Sequence, residues 1–158
     1  MRKRFDQQLV LGVVPIEDAK FPTHSRYELP RVLKVLQFIF ITPELNKAVF
    51  NLLENKISKG KKKTGRRGMD LWHILVLASI RHALSTNWDR LEYIANYDSL
   101  TRQVLGVYTT NFEVDTHVFT YQTIIDNVSL IDEEMLEQIN LLVAEHGQIL
   151  LKHKRRRS

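Results

Sequence analysis

The sequence contains no cysteine, which excludes disulfide scaffolds, zinc sites built on thiolates and catalysis by a cysteine nucleophile. A chain without cysteine suits a reducing compartment, and we expect the cytoplasm. Glycine and proline are also scarce, with 6 and 4 residues in a chain of 158. Sandwiches and barrels of many short strands need more turn residues than this. The composition therefore favours one helix-rich domain.

Long apolar stretches are lacking as well. The apolar runs reach only about eight residues, whereas a membrane-spanning helix needs about 20. The basic start of the chain and the stretch Leu9–Ile16 imitate a secretion signal, but Pro15 and two acidic residues interrupt it and no small-residue cleavage site follows. We expect neither secretion nor a membrane partner.

Positive charge is abundant, and it is concentrated in two segments. The chain has 23 Lys and Arg against 18 Asp and Glu, a net charge of +5. Residues 59–67 hold six of these cations and residues 152–157 hold five, and neither segment contains an acid. The rest of the chain contains the remaining 12 cations and all 18 acids, so its net charge is negative. This segregation favours a polyanionic partner, although a solvated loop and tail also explain basic runs.

Caps and hydrophobic periodicity predict a mainly α fold, a bundle of seven helices. Residues 38–41 also fit a short strand. The glycine-rich basic segment predicts a flexible loop over residues 59–68. The expected organisation is an irregular leader (1–28) that packs locally, one helical domain (29–152) and a basic tail (153–158). The predicted helices span residues 29–41, 43 to about 58, 71–84, 87 to about 95, 99–105, 121–130 and 132 to about 152.

The third, fourth and fifth predicted helices are joined by very short connections. Such turns fit a DNA-binding helix-turn-helix and an ordinary helical bundle equally well. The third helix is apolar on every side, which places it at the centre of the bundle.

Catalytic chemistry has little support in the sequence. The six histidines lack metal-ligand spacing, and packing explains His73 and His82 best. The segment Gly-Arg-Arg-Gly (65–68) in the basic loop lacks the lysine and the serine or threonine of a phosphate-binding P-loop. Acidic residues cluster between Asp126 and Glu137, where capping of a helix start explains them better than a magnesium site. We therefore expect no metal and no cofactor in this chain.

Six short segments stand in a characteristic order along most of the chain. They read RFDQQ (4–8), TPELN (42–46), GMDLW (68–72), NWDRLE (87–92), LGV (105–107) and YQTIIDNV (121–128). Together they resemble the amino-terminal region of bacterial insertion-sequence transposases, most of all the ISNCY group.

The resemblance implies a helical, DNA-binding region of a mobile-element protein that acts on transposon ends during DNA transposition. In that family, a following RNase-H-like domain supplies Asp, Asp and Glu, which hold two divalent metal ions for DNA recombination. That domain would begin after Ser158. The resemblance therefore implies a truncated, non-enzymatic fragment without a catalytic residue of its own.

The first hypothesis is accordingly binding to double-stranded DNA. The loop cations would contact the phosphate backbone, and the fourth and fifth helices would meet base edges in the major groove. Pairing of Arg90 with neighbouring acids and a plain surface position for Arg102 remain alternatives. The candidate residues are Lys61, Lys62, Lys63, Arg66 and Arg67 for phosphates, and Arg90, Thr101, Arg102 and Gln103 for bases.

Two other hypotheses stay open. The chain could be an interaction module that dimerises or modulates a full-length transposase through the apolar stripe of the seventh helix. It could also bind nucleic acid without sequence preference through its basic segments. The stripe consists of Leu136, Ile139, Val143 and Leu150.

Overall fold

The computed structural model describes residues 3–5, 13–22, 26–57, 68–110 and 117–156, with side chains up to residue 147. Seven α-helices hold 72% of these residues, which otherwise include a short 3-10 helix, Ile16–Asp18, and no strand. The predicted mainly helical class is confirmed. The helices are α1 (Glu28–Ile41), α2 (Pro43–Ile57), α3 (Leu71–Leu84), α4 (Trp88–Tyr97), α5 (Ser99–Leu105), α6 (Tyr121–Val128) and α7 (Glu133–Arg156).

Helix α3 lies at the centre of the bundle, as predicted. Nine of its 14 side chains are buried, on every side of the helix, and the exposed ones lie in its last turn. It packs against α1, α2, α4, α5 and α6. The indole of Trp72 is fully buried and donates a hydrogen bond to the Val104 carbonyl of α5, at 2.8 Å.

Helices α1 and α2 are joined by Thr42 alone. The strand alternative for residues 38–41 is wrong, because α1 continues to Ile41 and the Thr42 N–H donates to the Phe38 carbonyl at 3.1 Å. Pro43 opens α2, where a residue without an N–H is tolerated. The buried side of α2 consists of apolar side chains: Leu45, Val49, Phe50, Leu53 and Ile57.

The leader packs into the bundle rather than only against itself. The Lys3 and Arg4 carbonyls accept hydrogen bonds from the N–H groups of Leu71 and Trp72, both at 3.0 Å. The first N–H groups of a helix have no acceptor within the helix, and these bonds satisfy two of them in α3. The ring of Phe5 packs edge-on against Phe40 and His73.

Residues 16–19 of the leader are also part of the core. Ile16 is fully buried, and the Gln37 amide of α1 donates to the carbonyls of Ile16 (3.1 Å) and Ala19 (2.9 Å). Residues 6–12 of the leader, for which local packing was also expected, lie outside the described residues.

Helix α7 ends at Arg156, four residues beyond the predicted end near Lys152. The backbone of the basic segment therefore continues the helix through most of its length. Nearer its start, α7 packs against α2. Leu136 and Ile139 are buried there and Val143 is partly buried, so much of the apolar stripe is used within the chain.

Candidate nucleic-acid interface

The basic loop was the first predicted contact with DNA. Its five candidate cations, residues 61–63 and 66–67, lie outside the described residues. The structure gives the two ends of the loop, Ile57 at the end of α2 and Gly68 before α3. Next to Gly68, the Met69 N–H donates to the Asn127 side chain of α6 at 3.3 Å. The end of the loop is thus anchored between α3 and α6.

Arg90 lies in the first turn of α4 with an exposed side chain. Its backbone N–H donates to the capping oxygen of Asn87 at 2.8 Å, which starts the helix as predicted. Within the described ranges its guanidinium forms no ion pair, so the alternative of pairing with Asp89 or Glu92 is not observed. The structure thus places Arg90 at a surface that a duplex can reach.

A second arginine lies close to this turn. The guanidinium of Arg81, at the end of α3, stacks over the indole of Trp88 with 4.0 Å to the ring centroid. Ser85 makes the tight turn between the helices in the left-handed region, with φ of 50°. We call this surface, formed by Arg81, His82 and Arg90, the α3–α4 corner. The sequence analysis missed Arg81, although a cation just before a short turn and a tryptophan just after it were visible signals.

Thr101 was predicted to contact bases, but the structure buries it completely. Its hydroxyl donates to the Asp98 carboxylate at 2.6 Å, and its N–H donates to the same oxygen at 2.9 Å. The residue is therefore part of the cap of α5 and has no surface for DNA.

Arg102 was also predicted to contact bases, and it is only 8% exposed. Its guanidinium donates to the carbonyls of Ala95 (2.9 Å) and His117 (2.7 Å). These bonds connect the end of α4, the middle of α5 and the segment before α6. Arg102 does not fit a contact with base edges in a major groove, because its side chain is enclosed by those three elements. Burial lowers the pKa of Arg102 from its usual value, yet an arginine stays charged near neutral pH.

Gln103 is half-buried on the same short helix. The backbone carbonyl of Gln103 accepts a hydrogen bond from the Gly106 N–H at 3.0 Å. Gly106 caps the carboxyl-terminal end of α5 in the left-handed conformation, with φ of 77°. Gln103 is thus the one predicted base contact of α5 with part of its side chain at the surface.

The structure also contains a pocket that the sequence did not indicate. Its volume is about 510 Å³, and it lies between α4 and residues 117–121. Glu92, Asn96 and Tyr97 line it from α4, and Arg102 lines it from α5.

Asn96 holds the extended wall of this pocket. Its side-chain amide donates to the Phe119 carbonyl, and its oxygen accepts from the Phe119 N–H, both at 2.8 Å. The amide also donates to the Glu92 carbonyl within α4, at 3.0 Å. An asparagine inside an amphipathic helix was the available signal, since such side chains often bond to backbone groups.

Exposed aromatic rings surround the pocket. Tyr93 and Tyr97 are 64% and 72% exposed, and their rings pack together with centroids 5.1 Å apart. Tyr121 is 40% exposed on the opposite wall, and Val118 beside it is 66% exposed. Grouped exposed rings of this kind mark an interaction surface more often than single ones do.

Two histidines lie at the pocket: His117 lines it, and the ring of His73 packs against that of His117. His73 is buried, as predicted, and its Nε2 lies 2.9 Å from the Leu105 carbonyl, so the neutral ring donates from Nε2. Burial lowers the pKa of His73 to about 4. Burial and the nearby Arg102 charge also lower the pKa of His117. His82, by contrast, is exposed rather than packed.

Metal ligands do not gather in the described part of the chain, where no three of the side chains that bind metals lie together. Among the same residues, no helix combines the length and the apolar character needed to cross a bilayer. Comparison of the chain with protein-family models, curated proteins and solved structures found no match.

Proposed function

We propose that this protein binds double-stranded DNA, with residues 59–67 on the phosphate backbone and the exposed face of α4 towards the bases. The observation that carries the proposal is the segregation of charge, because eleven of the 23 lysines and arginines lie in two segments without an acid. Phosphates attract such segments through the release of counterions. The family resemblance makes transposon ends the expected target, and the absence of cysteine makes the cytoplasm the expected compartment. The proposal assigns no catalytic step to this chain.

The α3–α4 corner supports the proposal with exposed cations outside the basic loop. The loop joins α3 at its amino-terminal end, whereas Arg81 lies in the last turn of α3 and Arg90 follows in α4. Fourteen helical residues at 1.5 Å each span about 20 Å. A duplex that contacts both groups must therefore cover about six base pairs alongside α3.

The first experiment measures binding of the full chain to a fluorescent duplex of mixed sequence at increasing salt. The test variant replaces the five loop cations by glutamine: Lys61, Lys62, Lys63, Arg66 and Arg67. We expect its plot of log affinity against log salt to lose about 4 units of slope.

The matched control removes the same charge from exposed positions elsewhere. It replaces Lys20, Arg26, Arg31, Lys34 and Lys47 by glutamine. The control should lose much less affinity and slope than the loop variant. Equal losses in the two variants would mean that net charge alone drives binding, and would reject the loop as the contact.

A second experiment asks whether α4 reads bases. The chain selects duplexes from a randomised pool, and the enriched sequence is then compared with a scrambled one. Arg90→Ala should reduce this discrimination by about tenfold or more, with Arg31→Ala as the control. Unchanged discrimination in Arg90→Ala would remove α4 from base recognition. If no sequence is enriched from the pool, the chain is a non-specific nucleic-acid binder.

A further inference from the structure

Arg102 brings a buried positive charge to the pocket between α4 and residues 117–121. Two carbonyls accept from its guanidinium, which has five N–H donors. Within the described part of the chain, no carboxylate forms an ion pair with it, although Glu92 lines the same pocket. A buried charge is costly unless an opposite charge or hydrogen bonds compensate it. The pocket therefore favours an anionic group from another molecule.

The rim of the pocket offers flat aromatic surface for the rest of such a molecule. Tyr97 and Tyr121 line the pocket from opposite walls, and both rings are exposed. Tyr93 packs against Tyr97 and extends that wall. Tyrosine rings next to a cation are the usual platform for an unpaired base and its phosphate.

We propose that this pocket binds one unpaired nucleotide of a nucleic acid strand, with the phosphate on Arg102 and the base against Tyr97 or Tyr121. A volume of about 510 Å³ is in the usual range for a small-molecule site. The proposal rests on the proposed function in that the partner is nucleic acid. It differs in the part of the nucleic acid that is bound: the pocket takes an unpaired nucleotide, whereas the basic loop is assigned to the phosphates of a duplex.

A nucleotide fits the pocket better than an acidic peptide does. A peptide needs hydrogen-bond partners for its own backbone, and the Asn96 side chain is already used by Phe119 and Glu92. A base needs chiefly a ring to stack on, and the tyrosines supply that surface. The carboxylate of Glu92 can accept hydrogen bonds from the N–H groups of a base.

The first test compares two single strands of equal length on the full chain, oligothymidylate and an abasic strand with the same phosphates. The variant carries Tyr97→Ala and Tyr121→Ala, and the control is Tyr27→Ala, an exposed tyrosine before α1. We expect the double variant to bind oligothymidylate about tenfold more weakly and the abasic strand as before. An unchanged affinity for oligothymidylate, or an equal loss for both strands, would overturn the proposal.

The second test needs no substitution in the pocket, since Arg102 also supports the fold. Calorimetry compares thymidine 5′-monophosphate, thymidine and N-acetylaspartate on the unmodified chain. The monophosphate should bind more tightly than either of the other two. If N-acetylaspartate binds best, the pocket takes a carboxylate and the nucleotide assignment is wrong.

The loop variant distinguishes this proposal from the proposed function. Glutamine at Lys61, Lys62, Lys63, Arg66 and Arg67 should weaken duplex binding and leave the binding of thymidine 5′-monophosphate unchanged. Loss of monophosphate binding in this variant would place the nucleotide on the loop and would overturn the pocket. Monophosphate binding without any duplex binding would support the pocket while rejecting the proposed function.

Discussion

Helices α4 and α5 are neighbours joined by Asp98 alone, yet their polar side chains differ in exposure. Helix α4 exposes Arg90 and the rings of Tyr93 and Tyr97 to solvent. Helix α5 buries Thr101 and Arg102, which bind groups within the chain. An arginine on one helix is thus available to a partner, whereas an arginine on the next helix is part of the framework.

The difference arises from how many elements surround each helix. Helix α5 is seven residues long and packs against α1, α3, α4 and the 3-10 helix, so most of its faces are covered. Helix α4 packs against α3, α5 and α6 and keeps one open face. Burial then requires the polar groups of α5 to be paired within the chain. Residue type alone therefore does not indicate which side chains reach a partner.

The largest expected effect compares the two arginines directly. Arg102→Ala leaves the carbonyls of Ala95 and His117 without their donor, and we expect it to lower the free energy of unfolding by about 3 to 4 kcal/mol. Arg90→Ala should change it by less than about 0.5 kcal/mol. Urea denaturation of both variants measures the difference. Similar losses would contradict the assignment of Arg102 to the framework.

The next expected effect concerns pH and the buried ring of His73. An unfolded chain protonates histidine near pH 6.5, whereas the pKa of His73 in the folded chain is about 4. Between these values the unfolded state holds more protons, so stability falls as the pH decreases from 6.5 to 4, by up to about 3 kcal/mol. The lowered pKa of His117 adds to this loss of stability at low pH. At His73, the negative charge of Asp70 acts to raise the pKa, whereas the positive charge of Arg102 acts to lower it further.

Denaturation by urea at several pH values tests this expectation. His73→Gln should flatten the pH dependence of stability. The control His82→Gln should leave it unchanged, because His82 is exposed. A pH dependence that persists in His73→Gln would show that other groups cause it.

A smaller loss of stability is expected from the hydrogen bonds between Asn96 of α4 and the backbone of the pocket wall. Asn96→Ala removes both hydrogen bonds to Phe119 and should lower the free energy of unfolding by about 2 kcal/mol. Asn55→Ala, at an exposed position of α2, is the control and should change it by less than about 0.5 kcal/mol. Equal stability of the two variants in thermal unfolding would mean that Asn96 does not hold the wall.

The smallest expected effect concerns the outer face of α4. Tyr93→Ala removes a ring that is 64% exposed, and its stability should change by less than about 0.5 kcal/mol. Thermal unfolding checks this value. A loss as large as that of Asn96→Ala would show that the aromatic rim supports the fold and is not a free surface.

Most helix starts were predictable because they depend on residues close together in the chain. Asn87 and Asp98 cap α4 and α5 by accepting an N–H three residues ahead, and Gly106 stops α5 with positive φ. The end of α7 was predicted too early, since basic residues in a last turn also suit a continuing helix.

The candidate site was predictable only in part. Arg90 is exposed, as a DNA contact requires, but its role remains a prediction. Thr101 and Arg102 could not be assigned to a face, because a helix of two turns shows too little periodicity to separate its buried side from its exposed side. The pocket could not be predicted from the sequence either, because Asn96 and Phe119 lie 23 residues apart and form their hydrogen bonds only in the folded chain.

The sequence by itself determined the helical class, most helix boundaries and the segregation of charge, because these follow from composition and from contacts within a few residues. The tertiary structure alone decided that the leader completes the core, that Arg102 binds carbonyls within the fold, and that tyrosines from α4 and α6 surround one pocket. These features depend on packing between elements distant in the chain. Such packing determines which polar groups must be satisfied internally and which remain available to solvent or to a partner.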